Sequence, residues 1–483
     1  MRAPWLVALV GVVAAGSLVA GLWLGGGAKD KAPEPRFSTA VKTTPKNPLA
    51  GRSKPHLDHS AFFPDSIATP QEVTLRCLEC HKDAAHQVMQ TAHWTWLSGD
   101  VMRNGELVRI GKKNLLNNFC ISINGNWASC TKCHAGYGWG SADFDFTKQE
   151  NVDCLVCHDG SAGYSKGKMG LPGEKVDLRA AAGSVRMPRR DNCGACHFNG
   201  GGGMGVKHGD LDDSLINGSG DNDVHMGRLG FDCVDCHATE EHRIPGKMNA
   251  TYSDSTRALR MECDDCHGAT PHADAQLNKH VARVACQSCH IPAFARKYPT
   301  KMDWDWSQAG DSTRKDDPHA YLRIKGAFIY KDNVVPEYAW FNGKMERYIL
   351  GDTLSGPDQA MNKPIGSRAD KTAKIWPFKV HRAKQIFDPV NRVLIPPVTS
   401  GEGGFWTEFD WAKAARLGME QAGLPYSGKF AFTDTHMYWP INHMTAPKEK
   451  ALACTECHSP NGRLDWQALG YKGDPVGGTR HAR

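Results

Sequence analysis

The chain has 483 residues, 40% of them hydrophobic and 23% charged, with 58 Lys and Arg against 52 Asp and Glu. With a mean hydropathy of −0.48, this composition excludes a polytopic membrane protein and a disordered one, and leaves chain enough for about three domains. The unusual entries are 17 cysteines and 22 histidines, and they are not scattered at random.

Arg2 is followed by an uncharged run from Ala3 to Ala28. Its length suits either a secretory apolar region of about 7–15 residues or a spanning helix of about 20. Gly26 and Ala28 offer small residues for cleavage. Residues 1–28 therefore read as a signal peptide or an N-terminal anchor, and either places the protein in the periplasm. Residues 29–70, polar and proline-containing, read as a linker.

From residue 71 to 295 one pentapeptide, C-x-x-C-H, occurs seven times, and an eighth copy follows near the end. The copies are Cys77, Cys80 and His81; Cys130, Cys133 and His134; Cys154, Cys157 and His158; Cys193, Cys196 and His197. They continue with Cys233, Cys236 and His237; Cys263, Cys266 and His267; Cys286, Cys289 and His290; and Cys454, Cys457 and His458. This is the attachment pattern of c-type haem, in which two thiols add to the haem vinyl groups and the next histidine sits under the iron. Disulfides or zinc sites use cysteine pairs too, but neither requires a histidine directly after every pair. Eight covalently bound haem c groups are expected. Export agrees with this chemistry.

So many macrocycles in so short a chain must supply much of the core. The expected fold is mainly α, a multihaem cytochrome c with helices and loops wrapped around eight haems and few short strands. The first seven motifs lie only 23 to 53 residues apart, so neighbouring haems should exchange electrons. The haem propionates outweigh the formal surplus of six positive charges, so the basic residues do not argue for nucleic acid.

Fourteen histidines remain outside the motifs as candidate second axial ligands: His59, His93, His208, His225, His242, His272, His280, His436 and His443 foremost, with His319, His381 and His481 farther from any motif. His86 and His93 are seven apart, which would put them on one helical face, and His93 is the better placed to reach a neighbouring haem. Residues 296–445 carry no cysteine and read as a haem-free insertion walling a substrate cleft. It holds a β-like run at Ala327–Tyr330 and a helix over 407–422. Residues 446–483 hold the eighth motif and a tail.

Two local features stand apart. Gly200 to Gly203 let the backbone pass close to another group and deliver Lys207 and His208. Lys207 can ligate iron once deprotonated, or pair with a propionate. Cys120, the odd cysteine, reads as an inert buried residue, an intermolecular link or a reactive thiol.

Several segments together resemble the octahaem tetrathionate reductase family of cytochromes. They are Asp58-His59-Ser60 with Phe62-Phe63, Gln87-Val88-Met89 and His93-Trp94-Thr95-Trp96, then Asn117-Asn118-Phe119-Cys120-Ile121, Asn151 to Asp159, and the tetraglycine segment ending Lys207-His208-Gly209-Asp210. The resemblance covers about residues 56–300, and 291–453 only loosely. It implies that the haem of the second motif is the active one, with His134 on one side of the iron, Lys207 on the other and Cys120 as the active-site cysteine. Met204 departs from the family, which carries an acidic residue there; Asp210 is a candidate substitute. The implied activity is reduction of tetrathionate, nitrite or hydroxylamine. The expected partners are a small anionic or neutral substrate and a periplasmic or membrane electron-donor protein, with membrane contact only through an N-terminal anchor. Hydroxylamine oxidation and a non-enzymatic electron conduit are the alternatives.

Overall fold

The computed structural model describes residues 57–103, 105–118, 121–246 and 261–476. The 1–28 leader, most of the linker and Cys120 lie outside them. No helix among the described residues is long and apolar enough to cross a membrane.

Short helices carry the cysteine motifs. The first motif ends a helix over Pro70–Cys80, which starts with proline in its first turn and Thr69 capping the Glu72 N–H, the usual sequence chemistry of a helix start. The fourth ends Arg190–His197. The others sit on or beside single turns: Trp127–Cys130, Leu155–His158, Cys233–Cys236, Asp264–His267, Cys286–His290 and Cys454–Cys457. Helices of this length do not persist alone in water, so what packs on them holds them. His86 and His93 do not share a helix as their spacing suggested. Ala84–Met89 ends, and Ala92–Thr95 begins anew after Thr91, whose hydroxyl donates to the Val88 carbonyl.

Strands are sparse in the motif region, whose described residues hold one hairpin, β1 (Ser98–Arg103) with β2 (Glu106–Ile110). The haem-free segment gathers the rest: β3 (Thr300–Asp305), β4 (Tyr321–Leu322), β5 (Gly326–Lys331), β6 (Glu337–Phe341), β7 (Met345–Arg347), β8 (Asp358–Ala360), β9 (Asn362–Pro364), β10 (Lys374–Asp388), β11 (Val393–Leu394) and β12 (Ala431–Pro440). The main sheet runs β4-β5-β3-β10-β12-β8, with β6 and β11 also on β10, while β7 and β9 pair separately. The run at Ala327–Tyr330 lies in β5. The expected helix over 407–422 is two: Phe405–Glu408 stops at Phe409, whose φ is 56°, and Trp411–Gln421 restarts with Asp410 capping the Lys413 N–H.

This sheet is the floor on which part of the motif region rests. Leu116 and Val206 pack with Tyr348, Met361, Leu394, Met437 and Trp439. Ile121 packs with Trp304, Trp306, Phe328 and Ala383. The residues flanking Cys120 are tied to β10 as well: Asn118 Nδ2 donates to the His381 carbonyl at 2.7 Å, and Gln385 Nε2 donates to the Asn117 carbonyl at 2.8 Å.

Candidate functional site

The motif histidines meet partners in a regular way. His59 faces His81 with ring centres 6.4 Å apart, His242 faces His158 at 6.3 Å, and His93 faces His197 at 6.2 Å. His225 faces His267 at 6.1 Å, His272 faces His290 at 6.1 Å, and His280 faces His458 at 6.2 Å. A metal–imidazole bond is about 2 Å long, so two imidazoles on opposite sides of one ion hold their ring centres roughly 6 Å apart. The six pairs fit an iron between them.

Hydrogen bonds around these rings fit it too. Nδ1 donates to the carbonyl of Leu57 from His59 (2.7 Å), of Arg186 from His158 (2.9 Å) and of Gln276 from His280 (3.0 Å). It donates to Gln87 Oε1 from His242 (2.8 Å) and to Asp474 Oδ1 from His458 (2.7 Å). A proton fixed on Nδ1 leaves the Nε2 lone pair for a metal. His242 takes a φ of 61° and Glu241 one of 48°, a strained backbone of the kind found where a side chain must be aimed.

His237 of the fifth motif donates from Nδ1 to the Pro245 carbonyl at 2.7 Å, and its neighbour in charge is His443. His443 in turn is held by Asp210 at 3.1 Å. Burial alone would raise the Asp210 carboxyl, but the His443 hydrogen bond and charge hold it down to about 2. Asp210, the candidate substitute for an acid at position 204, is thus bonded to His443. His208 and His436 face no motif histidine in this way: the His208 ring meets Trp439 edge-on at 5.2 Å, and His436 Nδ1 pairs with Asp358 at 2.8 Å on the sheet.

The second motif differs. His134 is fully buried in a cage of Trp94, Trp96, Trp139, Phe144 and Phe146, with ring centres 4.7 to 6.1 Å away. Its Nε2 donates to the Trp94 carbonyl at 2.7 Å, and the Gly136 backbone also acts on the ring. Burial pushes its pKa down to about 3, so the ring is neutral, and with Nε2 bonded to the Trp94 carbonyl it is turned differently from the motif histidines whose Nε2 is left for a metal.

Lys207 is near enough to this motif for its charge to act on the Cys133 thiol. Its amine sits 5.0 Å over the Trp439 ring. Burial, the Lys112 charge and Arg347, against the opposing pull of Cys133, bring it down to about 8. An amine so lowered is closer to the neutral form that can ligate. Lys112 itself stands 3.9 Å over Trp96 and donates to the Cys130 carbonyl at 3.3 Å.

The motifs adjoin one another. Cys77 and Cys154, Cys133 and Cys196, Cys193 and Cys233, and Cys263 and Cys286 lie within hydrogen-bonding reach. Cys157 acts on Cys193, Cys266 on Cys236 and Cys457 on Cys289. Hydrogen-bond-range pairs and through-space charge interactions together link all eight motifs, with the second branching from the fourth. None of the sixteen described cysteines forms a disulfide.

Between the second and third motifs lies a group that sequence reasoning missed. Asp153 accepts from Lys166 Nζ at 2.5 Å, from the Tyr137 and Tyr164 hydroxyls at 2.9 Å each and from the Val156 N–H at 3.0 Å. Asp153, Lys166 and Tyr137 are buried. A lysine and two tyrosines near one motif gave no pattern that would have joined them.

Paired cysteines followed by histidine, facing histidines and adjoining motifs define a multihaem c-type cytochrome, whose haems are bound covalently. The comparisons agree. Residues 219–301 match the family of cytochrome c7 and related cytochrome c, and residues 301–461 match the bacterial cytochrome c family. The octahaem cytochrome c from Shewanella oneidensis is 45% identical over 87% of this chain and 98% of its own, with a TM-score of 0.82. No curated protein matches. The chain belongs to the octahaem cytochrome c family of electron-transferring redox proteins.

Proposed function

We propose that the protein carries eight haems, seven of them held between two histidines, and that the haem of the second motif is a reductive active site bounded by His134 and Lys207. One observation carries this reading. Six motif histidines face another histidine at one distance, and His443 attends His237, whereas the aromatic-caged His134 has a motif thiol, Cys133, that feels the Lys207 charge.

A haem held at the second motif by Cys130, Cys133, His134 and Lys207 would supply electrons singly and an iron able to bind a small substrate. The chain's own groups do the rest. Lys207 can hold a proton on Nζ over the Trp439 face, where cation–π attraction favours it. Lys112 and Arg347, the cations acting on Lys207, favour an anionic substrate. Trp94, Trp139 and Phe144 keep water from His134. Cys120 offers a thiol suited to attack on an S–S bond.

The substrates that suit this arrangement are nitrite, hydroxylamine and tetrathionate. Nitrite makes the fullest use of a connected eight-haem reservoir. Electrons would come from a periplasmic or membrane donor protein.

The test is low-temperature EPR and near-infrared MCD of the oxidised protein beside Lys207→Ala, followed by assays on the three substrates. A His/Lys signal from one haem in eight, lost in the variant, is expected. Eight bis-histidine haems, unchanged by the substitution, would make the protein an electron conduit.

A further inference from the structure

The haem-free sheet reaches into the Lys207 segment with a buried lysine of its own. Lys379, in the middle of β10, is 0% exposed. Its Nζ donates to the carbonyls of Val206 at 3.0 Å and Lys207 at 3.1 Å, and to Thr300 Oγ1 at 2.6 Å. Three acceptors match the three N–H bonds of an ammonium. Thr300, at the start of β3 and also buried, passes its own hydroxyl proton to the Gly205 carbonyl at 2.7 Å, and the Lys301 N–H reaches the same carbonyl at 2.9 Å. Three consecutive carbonyls, those of residues 205, 206 and 207, are thus fastened to β3 and β10.

The other end of Lys207 is met by the same sheet. Lys379 and Trp439 are directly opposed across β10 and β12, so their side chains share a face. One cross-strand pair holds the Lys207 backbone through Lys379 and receives its amine on the ring of Trp439. Val206 packs in the same cluster as Trp439, and the stem of Lys207 runs close past Gly200, where a Cβ would lie 3.1 Å from Lys207 Cδ.

Burying a lysine amine is costly, and burial pushes that of Lys379 well below the ordinary lysine range; an apolar side chain of similar volume would fill the space without that cost. What an apolar side chain could not do is fix three peptide groups. We infer that Lys379 and Thr300 are positioning residues that hold the Lys207 backbone so that its amine returns to one place at the second motif, which makes the haem-free insertion part of the active site rather than only a wall. This rests on the reading of Lys207 as an axial ligand.

The experiment compares Lys379→Met, Thr300→Val and Thr300→Ser with Lys207→Ala in the full haem-loaded protein. The readouts are EPR and near-infrared MCD of the second-motif haem and its cyanide affinity, because a loosened lysine competes less with an added ligand. Lys379→Met and Thr300→Val should broaden or split the His/Lys signal and tighten cyanide binding about tenfold, toward the limit set by Lys207→Ala. Thr300→Ser, which keeps the hydroxyl, should behave as the wild type, and the bis-histidine signals should be unchanged in all. If Lys379→Met prevents folding, the Thr300→Val and Thr300→Ser pair decides. Native signal and cyanide affinity in Lys379→Met and Thr300→Val, with both altered in Lys207→Ala, would overturn the positioning role and leave the ligand standing. No change in Lys207→Ala would overturn the ligand, and the positioning role with it.

Discussion

Asp210 Oδ2 accepts the Nδ1 proton of His443 at 3.1 Å, and the same oxygen takes the backbone N–H groups of Asn442 at 2.8 Å and His443 at 3.0 Å. The carboxylate is buried at 2% exposure, so its charge is felt by the ring with little screening. A carboxylate behind an imidazole makes it a stronger donor and favours the more oxidised metal. Asp210→Asn should therefore raise the midpoint potential of one haem, the fifth. A tenfold loss in preference for ferric iron is about 59 mV for one electron. Spectroelectrochemical titration of the variant checks this, with the other potentials held within error.

Gln87 offers the neutral comparison. Its Oε1 accepts from His242 Nδ1 at 2.8 Å, orienting the ring without a formal charge behind it. Gln87→Leu should shift the potential of the third haem by much less than Asp210→Asn shifts the fifth, yet broaden its EPR signal as the ring loses its fixed orientation. The same two measurements, made side by side, separate orientation from charge.

The buried ion pair of Lys166 and Asp153, with side chains 4% and 0% exposed, gives a stability prediction. Removing one partner of such a pair leaves an uncompensated charge and costs about 3–5 kcal/mol. The two tyrosine hydroxyls and the Val156 N–H still bond the carboxylate, so Lys166→Met should fall at the low end of that range. Asp153→Asn should cost less, since Lys166 keeps the Gly136 carbonyl at 3.3 Å. Denaturant unfolding followed by far-UV circular dichroism measures both.

How much of this could be read from the chain differs from one level to the next. The repeated pentapeptide is a local signal, so the motifs and the class of protein were legible. The facing of histidines is not local. His93 meets His197 of the fourth motif and His242 meets His158 of the third, and spacing carries no information about such meetings. Closeness to a motif in sequence favoured His208, which the fold turns onto Trp439. The sheet was hidden for another reason. β10 is buried along most of both faces, so it lacks the alternation of a half-buried strand, and Lys379 and Gln385 within it read as surface residues until their backbone acceptors are seen. The helix over 407–422 was placed correctly in its second part, but nothing in its periodicity announced that Phe409 would turn left-handed.

The last prediction concerns the turn that brings Lys207 in. Gly205 has a φ of +69°, and a Cβ there would lie 2.5 Å from the Pro299 carbonyl oxygen. Both the left-handed backbone and the backbone clash oppose any side chain, so Gly205→Ala should destabilise the protein by at least about 1–2 kcal/mol. Because the Gly205 carbonyl is also the acceptor for Thr300 and the Lys301 N–H, the damage should reach the second-motif haem, with partial loss of its His/Lys signal. Gly200→Ala tests the opposite balance. The added methyl meets the flexible stem of Lys207 at 3.1 Å and no backbone as close, so stability should change little while the amine is pushed from its place. Denaturation midpoints and near-infrared MCD on the two variants should therefore split: stability and ligand signal both lost at 205, ligand signal alone disturbed at 200. Equal stability losses at the two positions would show that the stem of Lys207 has no more freedom than the peptide that carries it.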